Sequence, residues 1–267
     1  RYSRVLIESI GYELAPNVVT SAALEERLAP VYDALKLPSG QIAALTGVRE
    51  RRFWDAGQCM ADGAARAGRK ALAAAGVGPD EIGMLVYGGV CRDNLEPATA
   101  CATADALGIG GQAVVYDTCN ACLGVMNALF EVANAIELGQ IRAGMVVSCE
   151  SARPIVDLTI ERMVRDPSME MFKKSMATMT GGSGAIGIVL TDAPRSAGAH
   201  RLVGGVVRAA PQYHGLSKWG PDTGIPTGGP VVMETDAVGT LQHGVVLGTE
   251  TFRAFVAELG WPEGPDR

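Results

Sequence analysis

The sequence predicts an α/β fold in which a buried, mostly parallel sheet is covered by helices on both faces. Short runs rich in Val, Ile and Leu recur along the chain, and segments with helical spacing lie between them. The runs are almost continuously apolar, as strands covered on both faces are; a strand with one wet face would alternate.

The elements follow in order. RVLIESIG (4–11) reads as the first strand, and ADGAARAGRKALAAAG (61–76) as a helix with Gly76 at its C-cap. GMLVYGG (83–89), QAVVYDT (112–118), GMVVSCE (144–150) and GAIGIVLTD (184–192) read as further strands. CLGVMNALFEVANAIELG (122–139) is a helix with Leu123, Met126, Leu129, Phe130, Ala133 and Ile136 on one face, ending at Gly139. Residues 154–180 break the rhythm with a Met-rich amphipathic stretch, either an insertion over a cleft or an ordinary surface helix pair. RLVGGVVRAAP (201–211) then restarts the pattern as a first strand, a Gly/Pro-rich excursion (215–230) follows, and TLQHGVVLGTETFRAFVAELG (240–260) reads as a long helix. The expected organisation is an N-terminal half, 1–195, that carries the 154–180 insertion, and the start of a related second half, 196–267.

Composition narrows the function. With 267 residues, 48% of them hydrophobic, the chain buries a large core. The charge sum of 23 − 29 = −6 is spread without a basic stripe, so nucleic acid is not an expected partner. No apolar run approaches the ~20 residues of a membrane span and no signal-peptide pattern opens the chain, so a cytoplasmic location is expected. Six cysteines scattered through apolar segments are expected to be reduced thiols. The sequence starts at Arg1 and stops soon after a helical pattern, so residues are expected to be missing at both ends.

DTCNACLGVMNAL (117–129) places Cys119 and Cys122 three residues apart where a strand gives way to a helix. The pair admits four readings: a redox couple, half of a zinc site, inert packed thiols, or a nucleophile with an incidental neighbour. No second ligand pair with zinc spacing is present. The nucleophile reading favours Cys122, because a thiolate gains from the free N–H groups and dipole of the helix start.

This segment resembles the D-x-x-x-A-C-x-G-x-x-x-A-L nucleophile motif of the ketoacyl synthase III branch of the thiolase superfamily. LTGVRERR (45–52) is similar to the branch's T-G-[IV]-x-x-R signature, and TGGSGAIGIVL (180–190) to its Gly-rich entry into the last strand of the first half. CRDNLEPATA (91–100) and Asn120 to Leu123 are most similar to the acyl-CoA condensing enzymes of olefin biosynthesis. The resemblance implies a thiolase-like, layered α-β-α-β-α fold and a non-decarboxylative Claisen condensation of two acyl-CoA thioesters. It makes Cys122 the acyl-carrying nucleophile and Glu96 the base that removes the α-proton. CoA thioesters are then substrates, and no cofactor or metal is expected.

The resemblance also implies a homodimer, or a pairing with a sister thiolase-fold subunit, with Glu96 serving the neighbouring site. Two other condensations stay open, that of a decarboxylating ketoacyl synthase III and that of an HMG-CoA synthase. A non-catalytic acyl-binding or supporting subunit is the alternative of another class. The aromatic residue and arginine that contact CoA in the fatty-acid enzymes are replaced by Gln41 and Leu45, which argues against that housekeeping role. The family's His of an H-Q motif and its Asn have no counterpart here: His200 reads as a residue beside a turn, His214 as a loop residue and His243 as a helix-surface or packing residue. Both are expected in sequence beyond this chain.

Overall fold

A computed structural model describes residues 1–195, 198–221 and 231–260, so much of the Gly/Pro-rich stretch and the final PEGPDR lie outside the described residues. In chain order the elements are β1 (Leu6–Leu14), β2 (Asn17–Thr20), α1 (Ser21–Arg27), α2 (Ala29–Leu35), α3 (Gln41–Thr46), β3 (Glu50–Phe53) and α4 (Met60–Ala75). Next come β4 (Met84–Gly88), α5 (Thr99–Leu107), β5 (Val114–Thr118), α6 (Gly124–Glu137), β6 (Ala143–Glu150), α7 (Arg153–Arg165), α8 (Met169–Ser175) and β7 (Gly184–Thr191). The last are β8 (His200–Arg201), β9 (Ser217–Pro221), β10 (Val231–Thr235) and α9 (Ala237–Leu259). Two compact units result, one of residues 1–17, 52–151 and 183–204, the other of residues 18–51, 152–182 and 205–267.

The first unit is built on a six-stranded sheet of order β5-β4-β6-β7-β1-β8. Strands β5, β4 and β6 run parallel, but β7 is antiparallel to both β6 and β1, and β8 is antiparallel to β1. The sheet is therefore mixed, which corrects the expectation of a mostly parallel one. The register gives the reason: Glu150 pairs with Gly184 and Ala143 with Thr191, so the chain re-enters the sheet at the end where it left. A continuous apolar run reports that a strand is covered on both faces and is silent about its direction.

Both faces are covered, and side chains divide between them with period two. Leu85 and Tyr87 of β4, Met145, Val147 and Cys149 of β6 and Val189 of β7 join α4 and α5 in one core, with Ala64, Ala67, Ala71 and Leu107. Val86, Val146, Ile188 and Leu190 point the other way, onto Leu129, Val132, Ala133 and Ile136 of α6. Helix α4 lies very close to the sheet because small residues meet there: a β-carbon on Gly11 would come within 2.4 Å of the Ala67 carbonyl oxygen. Helix α4 ends at Gly76, as its sequence predicts, in the left-handed conformation with φ 62°.

Two details differ from the sequence expectation. The buried stripe of α6 is Ala128, Leu129, Val132, Ala133 and Ile136, whereas Leu123 and Met126 are exposed. The apolar run 201–211 pairs only at its start: β8 pairs two residues with β1, Leu202 and Val203 continue with backbone bonds to Val5 and Tyr2, and the residues beyond find no neighbouring strand among the described residues. Val207 is 73% exposed. Apolar content makes a strand only where another strand supplies partners for its backbone.

In the second unit the 154–180 stretch forms α7 and α8, whose Ile155, Val156, Ile160, Met163 and Phe172 are buried. Phe172 meets Tyr32 of α2 edge-on at 5.9 Å between ring centroids, and Arg27 of α1 pairs with Asp157 at 2.6 Å. Arg51, the last residue of the T-G-V-R-E-R run, is buried and donates to the Val19 and Met179 carbonyls and the Ser21 hydroxyl. Burial lowers the pKa of its guanidinium below the usual value. Helix α9 starts at an Asp236 side-chain cap, and none of its described residues is buried. Its His243 stacks on Tyr213, with ring centroids 3.8 Å apart, consistent with a packing histidine.

Candidate active site

Strand β5 delivers the cysteine segment. It ends at Thr118, and five residues carry the chain round to α6, which starts at Gly124. The Leu123 amide donates to the Asn120 carbonyl at 2.9 Å and the Gly124 amide to the Ala121 carbonyl at 3.1 Å, closing two overlapping turns. Ala121 has φ 46°, a left-handed conformation costly for a residue with a β-carbon. Cys122 follows directly and is exposed, as is Cys119. It stands two residues ahead of the helix, not at the helix's first position as the sequence suggests, and Leu123 is the N-cap. Asn120 donates from its amide to Asn127 of α6 at 2.8 Å, which ties the turn to the helix it precedes.

The turn rests on glycines. The start of α6 packs so closely on the end of β4 that a β-carbon on Gly124 would lie 3.0 Å from the Gly89 nitrogen. The Gly89 amide donates to the Thr118 carbonyl at 3.2 Å, joining β4's exit to β5's.

The loop 89–98, between β4 and α5, carries Glu96 and is pinned at both ends. The Glu150 carboxylate takes the Val90 amide at 2.6 Å and the Cys91 amide at 3.2 Å. Asp93 takes the Met60 and Ala61 amides at 2.6 and 2.8 Å, so it caps α4, whose own N-cap Cys59 makes no side-chain bond. Asp117 of β5 caps α5 in the same way, taking the Thr99 amide at 3.0 Å and the Ala100 amide at 2.8 Å. Arg92 Nε lies 3.8 Å from Asp117. Between these anchors Asn94, Leu95, Glu96 and Pro97 are exposed, and the Glu96–Pro97 peptide is cis.

The structure thus brings Cys122 and the Glu96 loop to one end of the sheet, where β4, β5 and β6 finish. Asp117 and Asp93 escaped the sequence reading. A single acid inside the apolar run VVYDT was the available signal, because a buried carboxylate has to find donors. The thiols of Cys91 and Cys149 sit behind the loop. Burial, with Glu150 close by, pushes Cys149 up to about 12 and raises Cys91 as well. A cavity of about 430 Å³ lies at the far end of the strands, lined by Glu81, Gly83, Gln112, Arg142 and Arg195 among others, and is remote from this chemistry. Among the described residues no group of three or more His, Cys, Asp or Glu is placed to hold a metal, and no helix is long and apolar enough to cross a membrane.

No family model matches the chain. It is 50% identical over 264 residues to an acyl-CoA:acyl-CoA alkyltransferase of Shewanella oneidensis, covering 98% of this chain and 76% of that protein. The chain belongs to the OleA family of acyl-CoA:acyl-CoA alkyltransferases. A second member, from Xanthomonas campestris, is 34% identical over 261 residues, covering 97% of this chain and 75% of that one. The crystal structure of a cysteine-to-serine Xanthomonas campestris OleA with bound lauric acid and lauroyl-CoA superposes with a TM-score of 0.90 at 33% identity, covering 98% of this chain and 75% of that one. The OleA likeness bears out the thiolase-like fold expected from the sequence, and it spans both units.

Proposed function

We propose that this protein joins two acyl-CoA thioesters by a non-decarboxylative Claisen condensation, with Cys122 as nucleophile and Glu96 as base. The Cys122 thiolate attacks the carbonyl of the first acyl-CoA, CoA leaves as its thiol, and the acyl group stays on sulfur. Glu96 takes an α-proton from the second acyl-CoA. The resulting carbanion attacks the Cys122 thioester, the new C–C bond forms, and the C–S bond breaks to release a β-ketoacyl-CoA. CoA thioesters are the substrates, and the reading calls on no cofactor or metal.

The observation that carries this reading is Cys122, an exposed thiol on a turn strained at Ala121 and seated on glycine contacts, inside the N-A-C-L-G segment. The lauroyl-CoA bound by the Xanthomonas campestris protein supports the substrate class.

The proposal includes a homodimer, or a pairing with a sister subunit, in which Glu96 reaches the neighbouring site. Strand β5 is an edge of its sheet, and Leu95, Leu123 and Met126 are exposed around the Cys122 turn and the Glu96 loop, a surface suited to a partner. A cytoplasmic location and the division into halves at 195/196 belong to the same proposal. The deciding experiment is Glu96→Gln, assayed with two acyl-CoAs and with a malonyl donor. Loss of condensation with two acyl-CoAs, alongside retained condensation with malonyl-CoA, is expected. A Glu96→Gln enzyme that still joins two acyl-CoAs would remove the base assignment, and a wild type active only with the malonyl donor would favour a decarboxylating ketoacyl synthase, in which loss of carbon dioxide makes the carbanion.

A further inference from the structure

We infer that Asp117 is a positioning residue for the condensation step, fastening the Glu96 loop to the end of β5 so that the base is held where it reaches the neighbouring site. The inference rests on the proposed role of Glu96 as base. Asp117 sits in β5, five residues before Cys122, and its side chain is 6% exposed. Its two carboxylate oxygens reach both flanks of the Glu96 segment. On one flank they take the amides of Thr99 and Ala100. On the other they face Arg92 Nε at 3.8 Å. Within the loop the Asp93 amide donates to the Thr99 hydroxyl at 3.2 Å, so the two flanks are also joined to each other. The residues from Asn94 to Pro97 are therefore an exposed tip spanning two posts that meet at a single buried carboxylate.

A carboxylate accepts at both oxygens at once and bears the charge that draws Arg92. An amide at this place keeps one acceptor, has no use for its two N–H donors beside helix amides, and loses the attraction for Arg92. The flanks would then move relative to β5, and the base would leave its place while the cysteine turn, held separately through Asn120, Gly124 and Gly89, stays put.

Asp117→Asn separates the two half-reactions. Acylation of Cys122 is read by intact mass after brief mixing with a long-chain acyl-CoA, and proton removal by deuterium uptake at the α-carbon of the second acyl-CoA in heavy water. The variant is expected to acylate within about threefold of the wild type while α-exchange and condensation fall about tenfold or more, the scale on which small misplacements act. Arg92→Gln, which leaves both helix amides capped, is expected to shift the same split in the same direction by less and covers the case in which Asp117→Asn fails to fold. If acylation and α-exchange fall together in these variants, or neither falls, Asp117 merely supports the fold and the inference is overturned. Glu96→Gln run in parallel keeps the two ideas apart. A Glu96→Gln enzyme without α-exchange, beside Asp117 and Arg92 variants that show no split, overturns the positioning role alone; one with normal α-exchange removes the base assignment and the positioning role with it.

Discussion

A β-carbon built on Gly88 at the end of β4 would lie 2.7 Å from the carbonyl oxygen of Gly124, the first residue of α6. Both atoms belong to backbone segments that cannot swing aside, so the approach of α6 to the sheet depends on glycine at this crossing. Gly88→Ala is expected to cost about 1–3 kcal/mol through overpacking and to push the Cys122 turn outward. Urea denaturation checks the first effect, and the rate of Cys122 acylation, expected to drop, checks the second.

Ala121 holds its left-handed backbone at φ 46° one residue before Cys122. Ala121→Gly removes a strain of about 1–2 kcal/mol and adds unfolded-state freedom of about 0.5–1 kcal/mol. The variant should melt at or slightly above the wild-type temperature. Ala121→Val, with a branched β-carbon in the same conformation, should melt lower than wild type. A melting order with Val above Gly would contradict the turn geometry.

Thiol reactivity should divide along burial. Cys149 is fully buried, with a pKa raised to about 12, and Cys91 is half-buried and also raised. Cys59, Cys101, Cys119 and Cys122 are exposed. Alkylation at neutral pH, mapped by peptide mass spectrometry, should label the four exposed thiols and reach Cys91 and Cys149 only after denaturant is added.

One carboxylate gathers three donors from the N-terminal segment. Glu137 near the end of α6 accepts from the Ser3 hydroxyl and the Ser3 and Arg4 amides, and these bonds hold its pKa below the usual value. A carboxyl depressed in the folded state stabilises it above the unfolded pKa, and that contribution is lost as pH falls through the folded one. The melting-temperature gap between wild type and Glu137→Gln should be constant near neutral pH and close on acidification. A gap that widens in acid would reverse the sign of this account.

Much of the fold was legible in the sequence because apolar runs and helical spacing report burial directly. Strands β4 and β6 lie within a residue of their expected bounds, and α4 stops at Gly76. Direction was not legible: β7 runs antiparallel to β6 because of where the chain returns, a long-range property that no local pattern in GAIGIVLTD encodes. The exposure of Leu123 and Met126 also escaped periodicity, which sorts residues onto a helix face without revealing how far along that face a neighbour extends. At the candidate site the chemistry-bearing Cys122 and Glu96 stood out through family motifs, whereas Asp117 and Asp93 act through hydrogen bonds to residues 18 and 33 positions away. Such bonds become visible only when the loops are in place.

The most direct test of the whole account is the mass of the intact protein after incubation with a single long-chain acyl-CoA. The predicted result is one added acyl group, located on Cys122 by peptide mapping and absent from Cys122→Ala but present in Cys119→Ala. An unmodified wild-type protein, or an adduct that persists in Cys122→Ala, would contradict it.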